Sequence, residues 1–330
     1  MTDPRPVSAA EVVTLGECLA AFVASDEAPL AVATRYERHI VGAEANVAVG
    51  LTRLGHPAAF IGRVGKDGLG EAITRQLRGE GVDVSCLARD DAPTGVLIRD
   101  RRSLGPIEVV YCRRGSAGSQ LKPADVYAAA RLFAGARWLH LSGVTPALST
   151  TCRRAVDAAI GLAREQHLMI SLDFNLRRRL WRDDEAVAVL RPLASACDVV
   201  LAGIDEAAVV TGISVSNRAE DVARSLAALG AREAVLKLGS GGALASAPDG
   251  ALVHVPAVPV PRVLDTVGAG DAFCAGYIAA ALEGLRLDQR LSLAVVCGAA
   301  VAATVGDQPG LPSRIEADSL RADSEAEPRR

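Results

Sequence analysis

Short aliphatic runs alternate with longer Ala-rich segments along most of this sequence, and that alternation restricts the fold more than any single motif does. The runs at 12–15, 58–61, 138–142, 169–174, 199–201 and 234–238 are apolar nearly throughout. A strand with one wet face would alternate apolar and polar residues instead, so these runs are expected to be strands buried on both faces. Between them, segments 45–54, 69–78, 123–133, 148–165 and 218–229 space their apolar residues as helices do and end in Gly or polar breaks. Parallel strands need a long crossover, usually a helix, and repetition of that unit stacks helices on both faces of one sheet. The expectation is therefore a three-layer α/β sandwich with a mostly parallel central sheet.

One region departs from this rhythm. Segments 19–23, 36–41, 94–99 and 107–113 read as strands without helices between the members of each pair. They predict a small antiparallel sheet beside the main one, placed to close over a ligand as a lid; edge hairpins of the main sheet are the other reading. On this basis residues 11–316 form a single domain, with lid strands drawn from 17–41 and 94–113. Residues 1–10 and 317–330 are polar and aperiodic and are expected to be disordered tails.

Composition excludes several functions. Lys and Arg total 36 against 39 Asp and Glu, a net charge of -3, with no basic block to meet a phosphate polymer. Aromatic residues make up 3%, too few for a platform on which bases stack. Nucleic acid is thus not an expected partner. The seven cysteines form no C-x-x-C pair and the five histidines no ligand spacing, which argues for reduced thiols and against structural zinc. The first ten residues lack an apolar signal core, and the longest apolar stretch, 293–305, is shorter than the roughly 18 residues a bilayer requires. No membrane partner is expected, and the location is expected to be cytoplasmic.

The strongest chemical feature is Asp265-Thr266-Val267-Gly268-Ala269-Gly270-Asp271, followed at once by the apolar pattern 272–282. Glycines that open a helix leave backbone N–H groups free to face an anion, and the helix N-terminus adds partial positive charge. Asp271, in the first turn, is placed to take the proton of a hydroxyl that attacks a phosphoryl group held there. An acid that only caps the helix would leave Gly-Ala-Gly unexplained. Gly62, Gly65, Gly68 and Gly70 do not fit the dinucleotide fingerprint, and no P-loop pattern occurs.

This segment resembles the Asp-Thr-x-Gly-Ala-Gly-Asp signature of the ribokinase-like (PfkB) carbohydrate kinases. Gly42-Ala43-Glu44-Ala45-Asn46, followed by a helix and Leu54-Gly55, resembles that family's N-terminal sugar-binding motif; Gly62-Arg63-Val64-Gly65-x-Asp67-x-x-Gly70 resembles its next signature. Lys237-Leu238-Gly239-Ser240-Gly241-Gly242 resembles its ATP-binding turn, and the segment 299–303 with Gly306-Asp307 its adenine-side helix and closing acid. The motifs occur in the family's order and span about 12–312. Tyr111-Cys112-Arg113-Arg114-Gly115-Ser116-Ala117, His140-Leu141-Ser142-Gly143 and Asp173-Phe174-Asn175-Leu176-Arg177 are most similar to the family's kinases of 2-keto-3-deoxygluconate.

The resemblance implies a ribokinase-like fold, ATP and Mg2+ as cofactors, K+ beside Asp265, and phosphorylation of a sugar or sugar acid at a terminal hydroxyl. Asp271 would be the base, with Gly268, Ala269 and Gly270 stabilising the phosphoryl group. Gly42, Ala43, Asn46, Tyr111, Arg113, Arg177, Asp271 and Asp307 would hold the sugar. Asn175, Arg177, Lys237, Gly239, Ser240, Gly241 and Gly242, with Gly268, Ala269 and Gly270, would hold the nucleotide, and Glu206 would reach Mg2+ through water. Arg113 and Arg177 offer the forked donors that a substrate carboxylate accepts. The chain departs from the pattern at Gly203-Ile204-Asp205-Glu206, where the family has Asn-x-x-Glu, and at Leu97, Cys112 and Leu176, where sugar-acid kinases carry Tyr. A kinase of a neutral sugar such as fructose or ribose, and a non-catalytic sugar or nucleotide sensor, are the competing readings. A lid edge offers a surface through which two copies would pair.

Overall fold

Successive side chains along the central strands go to opposite sides of a sheet, and each side is covered by its own set of helices. The structure, a computed structural model, describes residues 10–26, 28–101, 107–214 and 216–326. In chain order its strands are β1 (Val12–Gly16), β2 (Leu19–Ala24), β3 (Tyr36–Val41), β4 (Ala58–Gly65), β5 (Leu87–Asp90), β6 (Val96–Arg99) and β7 (Val109–Cys112). They continue with β8 (Trp138–Ser142), β9 (Met169–Asp173), β10 (Val199–Gly203), β11 (Glu233–Lys237), β12 (Ala243–Ser246) and β13 (Leu252–Val255). The main sheet has nine strands in the order β13-β12-β11-β10-β9-β8-β1-β4-β5. It is parallel from β5 to β11 and becomes antiparallel at β12 and β13.

Val12 and Phe60 point into one core with the helices Ala43–Arg53, Ala269–Leu282 and Leu287–Ala302. Val13, Leu15 and Ile61 point into the other, with the helices Thr150–Glu165, Asp183–Ser195 and Ala219–Ala227. This is the expected three-layer sandwich. The helix Ala269–Leu282 is buried almost all round because it lies between Ala43–Arg53 and Leu287–Ala302. Close approach is set by Gly276, where a Cβ would stand 2.9 Å from the Leu293 carbonyl oxygen and from the Ala294 Cα.

The four irregular strands form a separate sheet in the order β3-β2-β6-β7. Its outer pairs are antiparallel as expected, but β2 and β6 run parallel, which corrects the all-antiparallel expectation. The chain leaves the lid after β3, passes through two helices, β4 and β5, and only then returns as β6; so long a crossover permits parallel pairing.

The C-terminal expectation also needs correction: residues Arg314–Ala326 are helical, not a disordered tail. A Ser-x-x-Glu capping box starts this helix, with the Ser313 N–H donating to Glu316 Oε2 at 2.8 Å. Arg314 holds Asp318 at 2.9 Å one turn on, and Ala317 is fully buried in the core. At the other end Ala10 is buried, while 1–9 and 327–330, expected as tails, lie outside the described residues. Among the described residues no helix is long and apolar enough to cross a membrane.

Candidate active site

Asp271 lines a cavity of about 230 Å³ whose walls include Leu97 and Arg99 of the lid and Gly42, Gly306 and Asp307 of the body. The sequence positions expected to hold a sugar thus converge, since Ala43, Tyr111, Arg113 and Arg177 line the same space. Asn46 lies below it, held by its own helix turn through its N–H to the Gly42 carbonyl at 2.7 Å. Its Nδ2 donates to Asp271 Oδ2 at 2.8 Å and to Asp307 Oδ2 at 3.0 Å. Its Oδ1 accepts from Gln308 Nε2 at 3.2 Å, and Gln308 Oε1 accepts from Gln76 Nε2 at 2.7 Å. That chain of amides fixes which end of Asn46 faces the acids. On the other oxygen, Asn175 Nδ2 donates to Asp271 Oδ1 at 3.2 Å. Asn175 has φ 39°, a left-handed backbone that Asn tolerates better than most side chains, and it directs its amide at the acid.

Burial pushes the Asp271 carboxyl up from its ordinary 3.8 to about 7; the charges of Asp173 and Asp307 add to this and the Asn46 hydrogen bond opposes it. Asp307 is raised to about 6, again chiefly by burial. A carboxylate poised near neutrality is suited to accept a hydroxyl proton.

Gly268 precedes the helix with φ 82°, and a Cβ there would lie 2.9 Å from the Asp307 Cα, so both conformation and space require glycine. No side chain caps the helix start. The Ala269 N–H turns back to the Thr266 carbonyl at 3.3 Å, and the following amides belong to a half-buried first turn, where free N–H groups favour an anion.

Gly270 and Ala269 also border a larger cavity of about 530 Å³, together with Lys237, Gly239, Ser240 and Gly242. Apart from Thr266 its remaining wall is aliphatic or aromatic, with Val258, Val260, Phe273 and Ala299 among its residues. Glycine turns at a phosphate end and an aliphatic slot for a base suit a nucleotide. Gly241, expected here, is not in the cavity wall, and its carbonyl accepts from His254 Nε2 at 2.9 Å. Lys237 Nζ contacts both oxygens of Asp173, at 2.7 and 2.8 Å, and would meet a Cβ on Gly270 at 3.3 Å. Burial opposes its charge, but Asp173 outweighs burial and raises the Lys237 pKa.

The two arginines expected to grip a carboxylate differ. Arg113 lies over the Tyr111 ring at 5.4 Å, and its Nε donates to Glu17 Oε2 at 2.7 Å, so a buried acid of the chain already neutralises it. Among the described residues no ion pair or side-chain hydrogen bond engages Arg177, and its charge is felt at both Asp271 and Asp307. Arg177 also lines a neighbouring cavity of about 560 Å³ with Arg114, Arg178 and Arg179.

Glu206 caps its own helix: Oε2 accepts the Gly203 N–H at 2.8 Å and Oε1 the Leu176 N–H at 2.8 Å. Each oxygen keeps a lone pair, so the group suits a water of a Mg2+ shell, the mode that this cation favours. Asp265 faces the buried Arg99 guanidinium instead of open space, and its Oδ1 accepts the Val267 N–H at 3.1 Å. Sequence reasoning missed Glu17, Arg99, Gln76 and Gln308. An acid between the apolar runs 12–15 and 19–23 was a usable signal for Glu17; the two glutamines carry none, because their role arises from packing of distant segments.

Residues 9–314 match the family described as pfkB family carbohydrate kinase. The chain is 35% identical over 309 residues to a 2-dehydro-3-deoxygluconokinase of Bacillus subtilis (strain 168), covering 92% of this chain and 93% of that protein. It is 36% identical over 284 residues to a fructokinase of Klebsiella pneumoniae, covering 82% and 88%. The crystal structure of a PfkB protein from Polaromonas sp. JS666 superposes with a TM-score of 0.85 at 34% identity, covering 94% of this chain and all of that one.

Proposed function

The chain belongs to the pfkB family of carbohydrate kinases, and from that premise we propose that it transfers the γ-phosphoryl group of ATP to the terminal hydroxyl of 2-keto-3-deoxygluconate, giving the 6-phosphate. The observation that carries the acid acceptor is Arg177, a guanidinium engaged by no ion pair or side-chain hydrogen bond among the described residues, in the wall of the cavity that holds Asp271. A free guanidinium beside two buried carboxylates makes a site that favours an anion at one end and a hydroxyl at the other.

Asp271 takes the hydroxyl proton as the acceptor oxygen bonds the γ-phosphorus and the bond to the bridging oxygen of ADP breaks. Asn46 and Asn175 hold its two oxygens, so the carboxylate is oriented before substrate arrives. The first-turn amides after Gly268 face the charge of the phosphoryl group, and Lys237 keeps a third N–H after its two contacts with Asp173. Glu206 would hold a water of the Mg2+ that accompanies ATP, and that ion would spread the charge of the phosphates.

A neutral sugar is the second reading. Glu17 cancels Arg113, and Leu97 pairs opposite Tyr111 in the lid, which makes that wall less cationic and more apolar than two free arginines would. The deciding experiment is ADP release from Mg-ATP with 2-keto-3-deoxygluconate, fructose, ribose or no acceptor. A preference of at least tenfold for the sugar acid, lost in Arg177→Ala, is expected. Preference for fructose or ribose overturns the acceptor, and no turnover with any of them favours a sensor.

A further inference from the structure

Arg99, the last residue of lid strand β6, is only 6% exposed, and its charge is met by Asp265, itself 8% exposed. Asp265 fastens two turns at once. Its Oδ1 accepts the Val267 N–H on the way into the Gly268–Gly270 cradle, and its Oδ2 accepts the Gly306 N–H at 3.4 Å beside Asp307. Asp265, Asp271 and Asp307 crowd anionic charge around a place meant for a polyanion, and a buried carboxylate without a counter-charge is costly. The K+ implied by family resemblance would supply that charge, but the residues do not fit it: the carboxylate already has two amides and a guanidinium.

We propose that Arg99 is the built-in counter-cation of Asp265, a positioning residue that ties the lid to the phosphoryl cradle and frees the reaction from any dissolved monovalent cation. This rests on phosphoryl transfer at the cradle but not on which sugar is the acceptor. Because Arg99 is carried by the lid, the cradle turns take their charge balance from the same sheet that walls the sugar cavity.

The test compares KCl, NaCl and tetramethylammonium chloride at equal ionic strength. For the wild-type protein, kcat, KM for ATP and the melting temperature are expected to agree among the three salts within about twofold and about one degree. Arg99→Gln keeps a polar side chain of similar reach without the charge; its KM for ATP is expected to rise about tenfold or more and to be restored selectively by KCl, whereas Arg99→Lys stays cation-independent. Stimulation or thermal stabilisation of the wild type specific to K+ overturns the proposal, as does an Arg99→Gln variant as active and salt-indifferent as its parent. Should Arg99→Gln not fold, the wild-type salt comparison decides alone. If no acceptor supports turnover, Mg-ADP affinity is read in the same three salts with the same expected equality, so a wrong acceptor is told apart from a wrong role for Arg99.

Discussion

In the body, two large apolar cores sandwich a parallel sheet, and the helix Ala269–Leu282 is buried on nearly every side. In the lid, Leu19, Ala21 and Val41 form a small buried cluster with Leu97 packed against it, and Ile40 of β3 reaches into a body core. So small a cluster does not by itself fix a four-stranded sheet on the body. Beside that burial, the lid is pinned at separate points by polar cross-links: Arg99 to Asp265, Arg113 to Glu17, and the Thr94 N–H and hydroxyl to Asp67. Burial holds most of the body, whereas three of the six residues in the lid's polar fastenings, Glu17, Arg99 and Arg113, border the acceptor cavity, so stability and function overlap more in the lid than in the body.

If that division is right, the largest effects on folding come from the body. Gly276→Val places two methyl groups where one Cβ already meets a backbone carbonyl at 2.9 Å, in a helix contact with no free volume. The expected outcome is loss of the cooperative thermal transition, read by circular dichroism. A variant that melts within about three degrees of its parent would show that the helix pair yields more readily than close packing allows.

Next in size is a change at the boundary of the two regions that alters chemistry and leaves the fold. Asp271→Asn should lose about a hundredfold or more in kcat, because the amide cannot accept the proton. It should also melt higher than the wild type at pH 8. The folded carboxyl keeps its proton up to about 7, against an ordinary 3.8, because it is buried. The stabilisation from that proton is fully present below about pH 4 and is lost as pH rises through about 7, so removing the charge helps most on the alkaline side. The same titration predicts kcat/KM of the wild type rising with pH to a plateau above about 7, since only the ionised form is the base. A flat profile between pH 5.5 and 8, or near-parental turnover in the variant, would remove Asp271 from the role of base.

The body was legible in the sequence for the same reason that it is stable. Runs such as 58–61 and 234–238 are apolar because both faces are buried, and that requirement is visible residue by residue. The Gly-Ala-Gly-Asp segment was equally plain, since Gly268 answers a local demand of backbone and space. The lid strands were found but not their pairing, because the β2–β6 register depends on where two helices and two strands deliver the chain. The amide chain Gln76–Gln308–Asn46 was invisible: residues 232 and 262 positions apart meet only after folding. The contact of Asn175 with Asp271 is likewise absent from any spacing rule, since 96 positions separate the two residues. At Ser313-x-x-Glu316 the local signal for a helix start is present in the sequence, but the polar composition of the segment that follows masks it.

The smallest expected effect tests the lid's fastening apart from the site. Asp67 caps the helix Gly68–Gly79 through the Gly70 N–H at 2.7 Å, and it also receives the Thr94 N–H and the Thr94 hydroxyl, both at 2.8 Å, where the chain enters β6. Burial would raise its pKa, but the hydrogen bonds from Thr94 and Gly70 prevail and hold it below the usual carboxylate range. Its contribution is therefore present above the ordinary carboxylate pKa and fades as pH falls through the lowered one. Asp67→Ala removes the cap and the tether together, so it should cost about 1–2 kcal/mol, seen as a melting point a few degrees lower at neutral pH. The kinetic consequence separates the two roles. A lost cap lowers stability and leaves KM values alone, whereas a loosened lid raises KM for the acceptor and spares KM for ATP, whose cavity is lined by body residues. Equal rises in both KM values would mean that the lid's position is communicated to the nucleotide side as well, as the Arg99–Asp265 pair would allow, and the boundary between lid and body would then have to be drawn beyond the cradle.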